Sequence, residues 1–272
     1  MNKLLIVAMK EFHDGLRNRW LVSITFIFAV LSLGISYYGS VVSGGIGVAS
    51  LSSTIASLAS LAVFLIPLIA LLVSYDSFVG EQESGTLLLL LTYPISKSQL
   101  LIGKFVGQGS IIAVATLLGF GTSASFLSYQ QGVDHIVPAF TLFISSAVLL
   151  GLSFTAMGYL ISLLVSEKSK AAGFALILWF FFALVFDLAL LAVLVGTEDV
   201  ISQEGLTYLM LLNPADIFRL VNFVALDASD ANGVLAMTIQ TSISLTQLFI
   251  TLLLWVIMPL VIASFTFKKS KI

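Results

Sequence analysis

The placement of positive charge along an otherwise apolar chain constrains this fold more than any motif does. Six apolar stretches, Trp20–Gly39, Ile55–Tyr75, Phe105–Leu127, Pro138–Val165, Ala171–Val195 and Leu245–Phe267, each reach the length of a membrane span, roughly 20 mostly apolar residues. With the N-terminus inside, eleven of the twelve Lys and Arg residues fall on the inner side and only Arg219 falls outside. Lys3, Lys10, Arg17 and Arg19 precede the first stretch, and Lys97 and Lys104 separate the second from the third. Lys168 and Lys170 separate the fourth from the fifth, and Lys268, Lys269 and Lys271 follow the sixth. Positive residues in short loops resist translocation. The expected fold is an all-α integral membrane protein with six transmembrane helices and both termini cytoplasmic.

A chain that is 59% hydrophobic and 10% charged, with a mean hydropathy of +1.11, needs lipid as solvent. The apolar stretches are continuous rather than alternating, which selects helices over a membrane barrel. The absence of cysteine removes disulfides, thiolate nucleophiles and Cys-based metal sites. The first apolar run is broken by Lys10, Glu11 and Asp14, so no cleavable signal is expected. Three parts are expected: an amphipathic interfacial helix over 1–19, the six-helix domain over 20–267 and a basic cytoplasmic tail over 268–272. Within 1–19, Lys3, Lys10, Asp14 and Arg17 share a face opposite Leu5, Met9, Phe12 and Leu16, with Ile6 and Val7 falling towards the polar side. The other reading of this stretch is a basic leader that only sets topology. No phosphate-cradling loop is present: Thr86 stands where the lysine after Gly80 and Gly85 would be needed, and Gly103-Lys104 lacks both the first glycine and the hydroxyl residue. An ATP-driven role therefore requires a second subunit, and this chain is expected not to be an enzyme.

The segment between the second and third stretches holds the densest signal. Glu81 and Glu83 precede Gly85-Thr86, then come five leucines, Leu87–Leu91, and the breaker Tyr93-Pro94. Five leucines are too few to span, so a short apolar helix lying along the membrane is expected, either seated in a partner or packed on its own bundle. The pattern of Glu81, Glu83, Gly85, Thr86, Leu87, Leu90, Leu91 and Pro94-Ile95-Ser96, followed by Gly103-Lys104, resembles the permease subunits of ABC-2 type transporters. That resemblance implies a type V exporter-like architecture and makes the segment within 76–100 the coupling helix that docks into a cytoplasmic ATPase. It also implies that ATP and magnesium belong to the ATPase, with no cofactor in this chain.

Polar residues elsewhere carry weaker signals. Pro67 predicts a kink in the second span. Small and hydroxyl residues crowd the third span, from Gly107 to Ser125, and the fourth, from Gly151 to Ser162; they suit close helix packing or a translocation lining. Asp187 is the one carboxylate inside an expected span, with no basic partner evident there, and is either a structural group near the outer end or a transport residue. The outer loop 196–244 sets Glu198, Asp199, Glu204, Asp216, Asp227 and Asp230 against the lone Arg219. Asn213-Pro214-Ala215-Asp216 reads as a helix break and restart capped by Asn213 or Asp216. Asn213, Pro214, Asp216 and Arg219 are thus expected either to make loop contacts, with Arg219 paired to Asp216 or another nearby acid, or to face an outer partner.

The stretch Leu211–Leu220, LLNPADIFRL, resembles the branch of this family that serves maturation of nitrous oxide reductase in denitrifying bacteria. This implies a homodimer in the inner membrane, two cytoplasmic ABC ATPase subunits, a periplasmic partner protein, and a role in assembling the reductase's copper-sulfur centre. Copper favours thiolate, thioether and imidazole ligands, and this chain offers only His13 inside, His135 outside and, within the spans, Met157 and Met258. No metal site is expected, and mechanical coupling or passage of a sulfur species fits better. The competing readings are an ABC-2 exporter permease for a lipid, drug or other small hydrophobic cargo, an ion-coupled transporter and a non-transporting scaffold.

Overall fold

In hydrocarbon a backbone amide has no partner except another backbone group, so apolar runs of this length close their hydrogen bonds locally and become helices. The computed structural model describes residues 3–42, 51–196, 203–225 and 243–270, and among them there is no strand. Its elements are α1 (Lys3–Arg17), α2 (Trp20–Val42), α3 (Leu51–Ser74), α4 (Val79–Glu83), α5 (Thr86–Thr92), α6 (Lys97–Gln131), α7 (Ile136–Leu164), α8 (Lys168–Phe180), a π-helical turn (Phe181–Val185), α9 (Phe186–Gly196), α10 (Gln203–Met210), α11 (Pro214–Ala225) and α12 (Leu245–Lys269). Six helices are long and apolar enough to cross a membrane. They match the six apolar stretches, with α8, the π turn and α9 forming the fifth. Pro67 lies inside α3 without ending it. Residues 43–50 of the loop expected first on the outer side, Glu198, Asp199, Asp227 and Asp230 of the long loop expected there, and Lys271 of the tail lie outside the described residues.

The centre of the bundle is α7, against which α3, α6, α11 and α12 all pack, while α1 and α2 lie along α6. Close approach is bought by small residues. A Cβ on Gly119 would stand 2.4 Å from Phe28 Cβ, one on Gly151 2.7 Å from Ile112, and one on Gly158 2.0 Å from Ser74 Oγ. Ser32 donates to the Gly119 carbonyl at 3.2 Å, and Ser36 and Ser123 are hydrogen-bonded between α2 and α6. These residues of the third and fourth spans therefore join helices, and only Gly121 among the third-span glycines has open space where a side chain would go. Rings fill the rest: Phe120 stacks on Phe28 and meets Phe143 edge-on, and Phe143 touches Phe218 of α11. Such ring pairs add about 0.5–1.5 kcal/mol each beyond simple burial.

Two features depart from the sequence expectation. The helix of the third span starts at Lys97 rather than Phe105, because Ser96 and Gln99 form a reciprocal capping box on its first turn. Lys104 is thereby drawn inside a helix and is 2% exposed, although the charge pattern treats it as a loop residue. The second departure is α1, which has three faces rather than two. Val7, Ala8, Glu11 and Gly15 are buried, so Val7, expected near the polar side, belongs to the stripe seated on α6. Leu5, Met9 and Leu16 remain exposed, with Lys3, Lys10 and Arg17 on the third face.

Candidate functional site

The short helices α4 and α5 form a corner at the end of the bundle where α1 lies, and the sequence builds it residue by residue. Gly85 adopts φ 72° between them, a left-handed conformation that a side chain disfavours. The Thr86 hydroxyl donates to the Glu81 carbonyl at 3.2 Å, satisfying an acceptor that α4 leaves open. Tyr93 is extended (ψ 153°) ahead of Pro94, as steric exclusion before proline requires, and this ends α5. Leu87, Leu90 and Leu91 fall at i, i+3 and i+4, one face of a helix. They pack into a cluster with Val7, Phe78, Leu100, Tyr159 and Phe267. The motif leucines therefore seat α5 on its own bundle. The outward face belongs to Leu88 and Leu89, 55% and 65% exposed, with Tyr93 beside them. From the sequence, Leu88 and Leu89 belong to the leucine run and Tyr93 to the breaker, and all three fall outside the coupling motif, although its i, i+3, i+4 spacing already implies which leucines face away.

Four other elements grip this corner. Ser162 of α7 accepts from the backbone N–H of both Phe78 and Val79 at 3.0 Å, fixing the start of α4. Gln108 of α6 links Ser77 (Nε2 to Oγ, 2.8 Å) with the Tyr159 hydroxyl, which donates to Gln108 Oε1 at 3.0 Å. Glu83 Oε1 accepts from the backbone N–H of Lys168 at 2.6 Å, placing a carboxylate at the N-terminus of α8, where the helix dipole favours it. Lys3 of α1 donates to the Pro94 carbonyl. Beneath these contacts Lys104 of α6 binds two acids at once, Glu81 at 2.7 Å and Glu11 at 3.1 Å. Its ammonium also lies 5.6 Å from the centre of the Phe78 ring. Glu81 Oε2 is buried with no hydrogen-bond partner. Glu81 and Glu83 are thus both engaged within the chain.

A second polar cluster lies at the other end. Arg219 Nη1 donates to Asp187 at 2.8 and 2.9 Å and to Asp216 at 2.7 Å. Asp187, with no basic partner evident within the spans, has one from α11. Asn213 caps α11, its Oδ1 accepting from the Ala215 N–H at 2.9 Å, and Pro214 opens the helix at the position where its missing donor is harmless. The Asn213 amide donates to Asp216 Oδ2 at 3.0 Å and to the Phe182 carbonyl, in the π turn, at 2.9 Å. Asn213, Pro214 and Asp216 are buried, so their polar atoms serve contacts inside the chain. Burial pushes the Asp216 carboxyl up to about 7, with Arg219 pulling the other way. Among the described residues no group of His and acidic side chains is arranged to hold a metal ion.

Comparison with known proteins agrees with this anatomy. The family model described as ABC-2 family transporter protein matches residues 5–272. The chain is 49% identical over 269 residues to the probable ABC transporter permease protein NosY of Pseudomonas aeruginosa, covering 98% of each chain. It is also 49% identical over 273 residues to the probable ABC transporter permease protein NosY of Stutzerimonas stutzeri, covering 99% of each. With six spans and a match from residue 5 to residue 272, this chain belongs to the ABC-2 family of transporter permeases, multi-pass proteins of the bacterial inner membrane.

Proposed function

We propose that this permease is the membrane half of a complex that matures the copper-sulfur centre of nitrous oxide reductase. Two copies pair in the membrane with both termini inside, α1 lies in the inner leaflet interface, and NosF-type ABC ATPases bind below. A NosD-type protein binds on the periplasmic side. The carrying observation is near-full-length identity to two NosY proteins, joined to a corner at the inner end that projects an apolar face. ATP closes the two ATPases, which push on α4–α5, and the bundles rock about the dimer interface. Glu81, Glu83, Gly85, Thr86, Leu87, Leu90, Leu91 and Pro94 shape the corner, and Leu88, Leu89 and Tyr93 contact the ATPase. At the outer end, Arg219 and Asp187 carry the movement of the fifth span to α11 and the outer loop.

Copper itself is not the cargo in this reading. Met157 is buried in α7 and Met258 faces outward from α12, and the chain has no cysteine, so its spans lack a succession of soft ligands. Transmitted motion or passage of a sulfur species fits better. The test is affinity purification of the tagged chain from its native host in mild detergent, followed by mass spectrometry. An ATPase together with a periplasmic protein supports the maturation complex. An ATPase alone moves the reading to a conventional exporter, and the absence of both refutes the coupling role. Saturable copper uptake by the reconstituted complex would refute the cargo argument.

A further inference from the structure

The ion triad at the inner end is drawn together by three of the chain's own helices, which separates two roles an acidic residue in this corner could have. Lys104 is 2% exposed and is held by Glu11 from α1 and Glu81 from α4, residues 93 and 23 positions away in sequence. Losing Lys104 from such a cluster would leave both acids without their shared cation in a poorly hydrated site. The three elements are therefore tied more firmly than surface ion pairs would tie them. Two glycines reinforce one side. A Cβ at Gly103 would meet Val7 Cβ at 2.7 Å and the Leu4 carbonyl at 3.0 Å, and one at Gly107 would meet the Ala8 carbonyl oxygen at 2.6 Å. α1 is thus pressed onto α6 by backbone-level contact; α4 adds Glu81 to the same pair, beside the Gln108–Ser77 and Lys3–Pro94 bonds and the cluster of Val7, Phe78, Leu87 and Leu100.

We propose that Glu81 works inward: with Lys104 it forms a pin joining the α4–α5 corner to α6 and, through Glu11, to α1. These elements then move as one body when the corner is pushed. Glu81 is a positioning residue, not a contact to the ATPase, and the N-terminal helix is a working part of the coupling apparatus. This rests on α4–α5 being the coupling segment. Force applied at Leu88 and Leu89 reaches the membrane surface along α1 as well as the bundle interior along α6.

Because the chain has no cysteine, single cysteines can be placed for spin labels without background. Met9 on α1, Gln82 on α4 and Val137 at the outer start of α7 are all exposed. In the intact complex with its ATPase, pulsed electron spin resonance measures the distances with and without ATP. The expected result is a constant Met9–Gln82 distance while both residues shift together relative to Val137. Glu81→Ala leaves Lys104 paired with Glu11, so no buried cation is stranded. It should retain the co-purifying ATPase in full, keep the Gln82 shift and reduce the Met9 shift, with Glu81→Gln restoring part of it through a hydrogen bond from the Lys104 ammonium to the neutral amide oxygen. The idea is overturned if Met9–Gln82 changes with ATP in the unmodified complex, if Met9 still follows Gln82 in full in Glu81→Ala, or if Glu81→Ala releases the ATPase. A chain that never retains an ATPase overturns the coupling reading itself, which the unmodified complex reveals before any variant is made.

Discussion

A methyl group added at Gly107 should lift the N-terminal helix from the bundle. The added Cβ would stand 2.6 Å from both the Ala8 carbonyl oxygen and Glu11 Cβ, where carbon contacts relax near about 3.5 Å. A carbonyl oxygen in a helix cannot rotate away, so α1 itself must retreat by roughly 0.9 Å, the difference between those two separations. The Lys104–Glu11 contact, already 3.1 Å, then passes out of hydrogen-bond range. Overpacking of this kind costs about 1–3 kcal/mol, and about 2 kcal/mol raises an opening equilibrium roughly thirtyfold. The reporter is Val7→Cys, buried beneath the same helix, reacted with a water-soluble maleimide in a chain that has no other thiol. When opening is fast relative to labelling, the rate follows the opening equilibrium. Gly107→Ala should then label about ten to a hundred times faster than the background, while Gly121→Ala, with nothing within 4 Å of the new Cβ, should label at the background rate. Equal rates for both variants would show that α1 is not held by its fit to α6.

Four other outcomes are expected. Gly85→Ala, at φ 72° with open space around it, should weaken the corner by about 1 kcal/mol, seen as faster proteolytic nicking between α4 and α5. Leu89→Asp should abolish retention of the ATPase without altering the thermal unfolding of the detergent-solubilised chain, whereas Leu87→Asp, in the buried face, should lower the melting temperature. Asn213→Leu strands the Phe182 carbonyl and the Ala215 N–H; at about 1–3 kcal/mol for each buried orphan, it should destabilise the chain more than Asn222→Leu. Asp216 keeps its proton to about 7 when folded, against an ordinary value of 3.8. The unfolded chain therefore releases that proton first, and the contribution, full below the ordinary value, is lost as pH rises towards 7. Melting temperature should fall across that window, and Asp216→Asn should flatten the slope; an unchanged slope would refute the assignment.

The spans were legible because hydrophobic length is set by the bilayer and not by neighbours, and the corner because Gly85, Pro94 and Ser96 each impose a backbone state alone. What eluded the sequence was partnership. Lys104 reads as a topology signal beside Gly103, and nothing local shows Glu11 waiting to neutralise it. The capping pair Ser96 and Gln99 would have moved the helix start upstream and hinted that Lys104 is enclosed. Asp187 and Arg219 each stood out as anomalies, yet their pairing depends on how α11 lies against the fifth span. The leucine run was recognised as a short helix, but its use was split: the spaced leucines anchor it and the remaining two face away. Position along a chain identifies an unusual residue more readily than it identifies what that residue touches.

The π-helical turn in the fifth span gives that helix two phases. A bond from residue i to i+5 accommodates one residue more than an α-turn, and each residue of an α-helix turns through about 100°. The first half, α8, and the second half, α9, therefore present faces displaced from those of one continuous α-helix, and the second half directs Asp187 towards Arg219. Deleting one residue between Phe181 and Val185 would preserve every charged group and nearly all the hydropathy. It would nevertheless carry Asp187 about a quarter-turn around the axis, away from α11. The contact between Asp187 and Arg219 is thus encoded as much by the counting of residues in an apolar stretch as by the identity of its acid and its base.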